Sequence, residues 1–141
     1  MSIASGLWGD GKVFIRDALR MVSRGVSIDV QLDDESDSGV SFGGEFDLEF
    51  ELGKNPDWVT PVDVTGTRET GDGGEICRGE GSYGSEGFFA RMDEKGGLIW
   101  VMYFEESNPF VGVSLIEGEA IFRSTSGVTV VIDIGNPGEG G

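Results

Sequence analysis

The sequence predicts an α+β fold, mainly β, with one N-terminal helix packed on a twisted, mostly antiparallel sheet of about six to eight strands. Two observations carry this. After Gly25 the apolar residues recur every second position, whereas before it they recur at helical intervals. The stretch Leu98–Phe104 is apolar on both faces, which belongs to a strand covered on both sides.

The first element is expected over residues 11–24. Lys12, Arg16, Arg20 and Arg24 are spaced four apart, and Phe14, Ile15, Ala18, Leu19 and Val22 fall on another side of a helical wheel. Asp10 suits an N-cap and Gly25 a left-handed C-terminal position. The rival is a strand over Lys12–Arg16, because Val13, Phe14 and Ile15 are good strand formers.

Val26, Ile28, Val30 and Leu32 then alternate with polar residues, as do Phe46, Leu48, Phe50 and Leu52 with Glu45, Asp47, Glu49 and Glu51. Both read as half-buried strands. Residues 58–65 read as a shorter strand in which Pro61 marks an edge or bulge. Further strands are expected at 87–94, 97–106, 110–117, 119–124 and 128–134, with Gly96-Gly97 and Gly127 at turns. Residues 66–87 hold eight glycines among mostly polar residues and read as a mobile loop. Residues 1–134 form one expected globular domain, and 135–141 an expected disordered tail.

Composition removes several chemistries. The chain has 141 residues, 26 acidic and 10 basic, with no histidine and one cysteine, Cys77. Histidine-based catalysis and His-ligated metal are excluded, as are an internal disulfide and a Cys-based zinc site. A formal charge of −16 argues against nucleic acid, whose phosphates it would repel, and against anionic membranes. No basic segment precedes an apolar one at the N-terminus, and no apolar run approaches the ~20 residues of a membrane span, so a cytoplasmic protein is expected.

Two motifs fail on their flanks. Gly79-Glu80-Gly81-Ser82-Tyr83-Gly84 is a literal GxGxxG, but a strand pattern rather than a helix follows it, and Glu80 and Glu86 would repel phosphate. Asp34 to Glu45 has the glycine and glutamate of an EF-hand loop at Gly39 and Glu45, with serines at two ligand positions and strands on both sides. No cofactor or metal is expected. Ser82 and Ser85 lack a base, and the carboxylates of 45–52 match the polar half of an amphipathic strand, so an enzyme is not expected.

The feature above background is acidic. From Gly25 to Gly53 there are nine carboxylates and no basic residue. On a strand, same-face neighbours lie ~7 Å apart, inside the ~8 Å screening length at physiological salt. Such a row costs self-repulsion that a basic partner would relieve. The expected partner surface is one ridge of Asp33, Asp34, Glu35, Asp37, Glu45, Asp47, Glu49 and Glu51, with Trp58 as its aromatic anchor. Solvated surface is the plainer account of the same charges.

The far half carries Gly87-Phe88-Phe89-Ala90-Arg91, Leu98-Ile99-Trp100, Ser107-Asn108-Pro109-Phe110 and Ser124-Thr125-Ser126-Gly127. With a preceding helix and sheet, this arrangement resembles the small acidic immunity proteins of bacterial polymorphic or contact-dependent toxin systems. The resemblance implies a cytosolic protein that occludes the active site of a basic toxin enzyme such as a nuclease. Two other classes compete. One is a small-ligand binder with Trp58, Trp100, Phe88 and Phe89 lining a cavity, the other a phage or structural assembly subunit.

Overall fold

A computed structural model describes residues 3–138. The chain runs α1 (Ile3–Gly9), β1 (Lys12–Phe14), β2 (Ala18–Met21), β3 (Val26–Leu32), β4 (Val40–Phe46), α2 (Leu48–Lys54), β5 (Val59–Glu69), β6 (Glu75–Gly81), β7 (Gly87–Met92), β8 (Leu98–Phe104), β9 (Phe110–Ile116), β10 (Glu119–Ser124) and β11 (Thr129–Asp133). An eight-stranded antiparallel sheet has the order β1-β5-β6-β7-β8-β2-β3-β4, and a three-stranded sheet the order β11-β10-β9. The mainly β fold with an N-terminal helix is therefore as the sequence predicts.

Four local assignments are corrected. The helix is α1, ahead of the expected 11–24, and residues 12–14 and 18–21 are strands. Gly25 does take the left-handed φ of 63°, but it closes the β2–β3 hairpin instead of ending a helix. Residues 45–52 are not one strand: β4 ends at Phe46, and Asp47 caps α2 by accepting from the Phe50 N–H at 3.1 Å. The region 66–87 is not a loop, because β5 and β6 pair as far as Glu69↔Glu75. Several of its glycines answer to packing. A Cβ on Gly79 would collide with the Asp63 carbonyl, and one on Gly66 with the Arg78 guanidinium. Of the expected tail, residues 135–138 pack: Pro137 is buried, and Gly138 lies against Met21, Ile28 and Leu19. Residues 139–141 lie outside the described residues.

The large sheet is curled. On a flat sheet β1 and β2 would stand five strand spacings apart, about 24 Å. Only Ile15, Arg16 and Asp17 join them, and four Cα steps reach at most about 14 Å. Strands β5 to β8 must therefore bend until one segment, 12–21, serves both of their edges, pairing as Val13↔Thr60 and Leu19↔Met102. Pro61 fits this closure. It lies just beyond the last β6 pair, Val62↔Gly81, where its missing N–H costs no ladder bond.

The core has two main parts. Between the sheets lie Leu19, Ile76, Phe89, Trp100, Met102, Phe104, Phe110, Phe122 and Ile132. Inside the curl lie Val13, Cys77, Phe88, Ala90, Leu98, Val101 and Tyr103, with Trp8 of α1 edge-on to Phe88 at 5.7 Å. Strand β8 contributes to both, as its two apolar faces require.

Candidate functional site: a divided acidic surface

The β3–β4 hairpin and α2 hold every carboxylate singled out from the sequence, but they divide them. Asp33, Asp34, Glu35 and Asp37 sit in the turn beyond Leu32↔Val40. Glu45, paired with Ile28, sits at the opposite end, and Asp47, Glu49 and Glu51 follow it at the cap and along α2. Five residues of strand separate the ends, on the order of 17 Å, which exceeds the screening length of about 8 Å. The expected single ridge is thus two acidic sites.

The turn is tightly built. Asp33 donates its N–H to the Gly39 carbonyl at 2.9 Å, and its Oδ1 accepts from the Glu35 N–H at 3.1 Å. The Val131 N–H donates to the Ser38 carbonyl at 2.8 Å, clamping the turn to β11. Gly39, at φ 84°, packs so closely on the Thr129 carbonyl that a Cβ there would collide. Asp34, Glu35 and Asp37 stand exposed, and Asp34 and Asp37 line a groove of about 560 Å³ whose far wall is Ser126–Thr129.

At the other end the carboxylates have unequal duties. Arg16, at the bend between β1 and β2, binds Asp29 in a fork, Nε to Oδ1 at 2.7 Å and Nη2 to Oδ2 at 2.9 Å. Its Nη1 lies 3.4 Å from Glu51, and its guanidinium stacks 3.9 Å from the centre of the Phe46 ring. These contacts, the Asp29 hydrogen bond foremost, hold the Arg16 pKa above its ordinary value. Lys54 adds a 3.7 Å pair to Glu51. Asp29 and Glu51 are consequently structural, and Asp47 is a helix cap. Glu45 and Glu49 remain exposed on a groove of about 570 Å³ shared with Arg20, Phe46 and Leu48. Burial lowers the Arg20 pKa, opposed by the charge of Asp47.

Trp58 is surface, 53% exposed, with its ring tilted against Phe14 at 6.3 Å. The sequence reading missed Phe50, 60% exposed on α2, because strand alternation assigned it to the core. The other three aromatics proposed as cavity lining are core instead: Phe88 and Phe89 are fully buried, and Trp100 is 2% exposed. The apolar cavity among Ala4, Trp8, Phe14, Val101 and Tyr103 is about 40 Å³, far below the roughly 300 Å³ of a small-molecule site.

The literal GxGxxG spans the end of β6 and the turn into β7. Its turn is closed from inside by Glu86, which is 3% exposed, accepts from the Tyr83 N–H at 2.9 Å and hydrogen-bonds the Tyr103 hydroxyl. Among the described residues, no group of three or more Cys, Asp or Glu is placed to hold a metal ion. No described helix is long and apolar enough to cross a membrane.

Two titrations give tests. Cys77 is fully buried on β6, and burial, with the charge of Glu75, pushes its thiol up to about 12. Native protein at pH 8 should not react with a thiol reagent, while unfolded protein should release one equivalent; a fast native reaction would contradict this placement. Asp17 is pushed above the ordinary carboxyl range by burial and by Glu105 and Glu106, against the Glu105 N–H that it accepts at 2.8 Å. The folded state therefore takes up this proton before the unfolded state as pH falls, so ionised Asp17 destabilises at neutral pH. Asp17→Asn, which keeps an acceptor, should raise the urea midpoint at pH 7. The gain should shrink as pH falls through the folded Asp17 pKa. A midpoint that drops at pH 7 would sink the assignment.

No family model matches the chain, and neither a curated protein nor a solved structure matches it.

Proposed function

We propose that the protein is a cytoplasmic, non-enzymatic inhibitor of the immunity type, which binds a basic toxin enzyme through its acidic surface and blocks the active site. The observation that carries this reading is a set of uncompensated carboxylates on rigid supports beside exposed aromatics. Asp34, Glu35, Asp37, Glu45 and Glu49 are exposed and form no ion pair among the described residues, whose ion pairs are Arg16 to Asp29 and Glu51, Lys54 to Glu51 and Arg91 to Asp72. The clamped turn and the capped helix hold them without adaptation, and Phe50 and Trp58 supply the large apolar contacts typical of interface centres. Occlusion of an active site requires no catalytic group in the inhibitor. The sequence resemblance to toxin immunity proteins supports the same reading, whereas the small-ligand reading loses three of its four lining aromatics to the core.

The neighbouring reading frame provides the test. A large secreted protein with a basic C-terminal domain is expected there. That domain should arrest growth when expressed alone and lose its toxicity when this chain is coexpressed. Undiminished toxicity, or a neighbourhood of capsid and tail genes, would remove the proposal.

A further inference from the structure

Strand β5 is longer than its cover. Of its eleven residues, Val59, Thr60 and Pro61 pair with β1 on the outer side, and the Val62 N–H reaches the Gly11 carbonyl at 2.9 Å. From Asp63 to Glu69 no backbone hydrogen bond leaves the outer edge to any described residue. Six of these seven residues are exposed, and Val64 among them is 48% exposed. The direction of the free donors follows from the hairpin end. The Thr70 N–H donates inward to Gly74 at 3.1 Å, so by alternation the N–H groups of Thr67 and Glu69 point outward.

The inner side of the same segment carries an electrostatic conflict. In the β5–β6 register Asp63 stands opposite Glu80, and Glu69 opposite Glu75. Like charges directly opposite one another destabilise a ladder. The Glu69–Glu75 pair is the closer kind, because a residue whose N–H points outward makes a non-hydrogen-bonded pair with its inner neighbour. The cations nearby do not resolve it. Arg78 spends its Nη1 on the Thr65 hydroxyl and the Phe110 carbonyl, and Arg68 makes no ion pair among the described residues.

The geometry points to the outer edge of β5, residues 63–69, as a site where an extended basic segment of a partner adds as a further strand. Backbone donors and acceptors there supply the pairing, and cations delivered beside Asp63 and Glu69 relieve the repulsion. The register shift between Val64 and Gly66 consumes one residue, so the two carboxylates, six apart on β5, face partner positions five apart. A second copy of this chain is the wrong occupant. Antiparallel self-pairing about Gly66 would set Asp63 of one copy against Glu69 of the other, between bodies that each carry −16. The inference rests on the reading that the partner is basic, but it concerns a different surface from the turn and α2.

The probe is a synthetic peptide, acetyl-Lys-Val-Thr-Val-Thr-Lys-amide, added to the full chain and followed by amide hydrogen exchange. Saturating peptide should slow exchange at Thr67 and Glu69 at least tenfold, and the analogue with glutamate in place of both lysines should not. Thr67→Pro removes an outward donor without touching the β6 ladder and should abolish the protection. Asp63→Asn with Glu69→Gln, which keeps the backbone intact, should weaken peptide binding about fivefold. Equal protection by the acidic analogue, or none at Thr67 and Glu69 with the lysine peptide, overturns the inference. Protection confined to 33–37 or 45–49 also overturns it while leaving the proposed function standing. Protection at β5 with a toxin that this chain fails to neutralise keeps the edge site and removes the toxin reading.

Discussion

Phe89→Ala should cost about 4 kcal/mol, lowering the thermal midpoint by roughly 10–15 °C in a chain of this length. The ring is fully buried, stacks parallel to Phe122 with centroids 3.8 Å apart, and meets Phe110 edge-on at 5.0 Å. Trp100 and Phe104 complete its surroundings, each at 6.2 Å. Because Phe89 belongs to the large sheet and Phe110 and Phe122 to the small one, its removal opens a void where the sheets meet. The four rigid aromatics that remain cannot close around such a void by rotamer changes alone. Phe50→Ala, at an exposed helical position, is the control and should stay within about 0.5 kcal/mol of wild type. A Phe89→Ala loss below about 1.5 kcal/mol in chemical denaturation would mean that the sheets are not packed as described.

The second large effect is kinetic. Neutralising Asp34, Glu35, Asp37, Glu45 and Glu49 to the corresponding amides should slow association with a basic partner, the toxin domain of the proposed function, about tenfold or more at low salt, and flatten the salt dependence of the rate. The choice of residues follows from the structure. Asp47 is omitted because it caps α2, and Glu51 because it braces Arg16. A variant that included both would mix steering with stability. The fivefold variant should unfold at the wild-type urea concentration or slightly above it, since repulsion is reduced. Equal association rates and equal salt slopes would show that these charges are solvated surface.

Much of the β half was legible because burial on alternate positions leaves a plain period of two. The strands from Gly87 onward lie where the alternation and the turn glycines at 96 and 127 place them, and both glycines take positive φ. The misreading of 11–24 has an arithmetic cause. A spacing of four is even, so Lys12, Arg16, Arg20 and Arg24 share a face on an extended chain as well as on a helix. Burial of Val13, Leu19 and Met21 was the deciding fact, and it belongs to tertiary structure. Residues 45–52 misled in the opposite direction. Phe46, Leu48, Phe50 and Leu52 alternate, but Leu48 and Leu52 are also four apart, and Asp47, with Lys54 in the last turn, is a helix-cap signal that the sequence itself carries. In 66–87 the glycines suggested mobility, whereas several are demanded by neighbouring backbone and side chains that no local pattern reveals. For the acidic surface, the sequence showed how many carboxylates there were. It did not show that a hairpin would send them to opposite ends, or that Arg16 would claim Asp29 and Glu51.

The bent segment 12–21 has a consequence for how the molecule comes into being. Its second half pairs with β8, so Leu19 waits for Met102, more than eighty residues later in the chain. During synthesis the curl cannot close until residues 98–104 have left the ribosome, and until then Val13, Leu19 and Met21 have no permanent cover. Such long-range closure is slow compared with hairpin formation, and it leaves apolar strands exposed to other chains meanwhile. The hairpins β5–β6, β7–β8 and β9–β10 can form from neighbouring sequence alone, so closure by the N-terminal segment is expected as the late, rate-limiting event. A nascent chain arrested before residue 98 should therefore remain sensitive to protease at 12–21, and one released after residue 134 should become resistant there in a single slow phase.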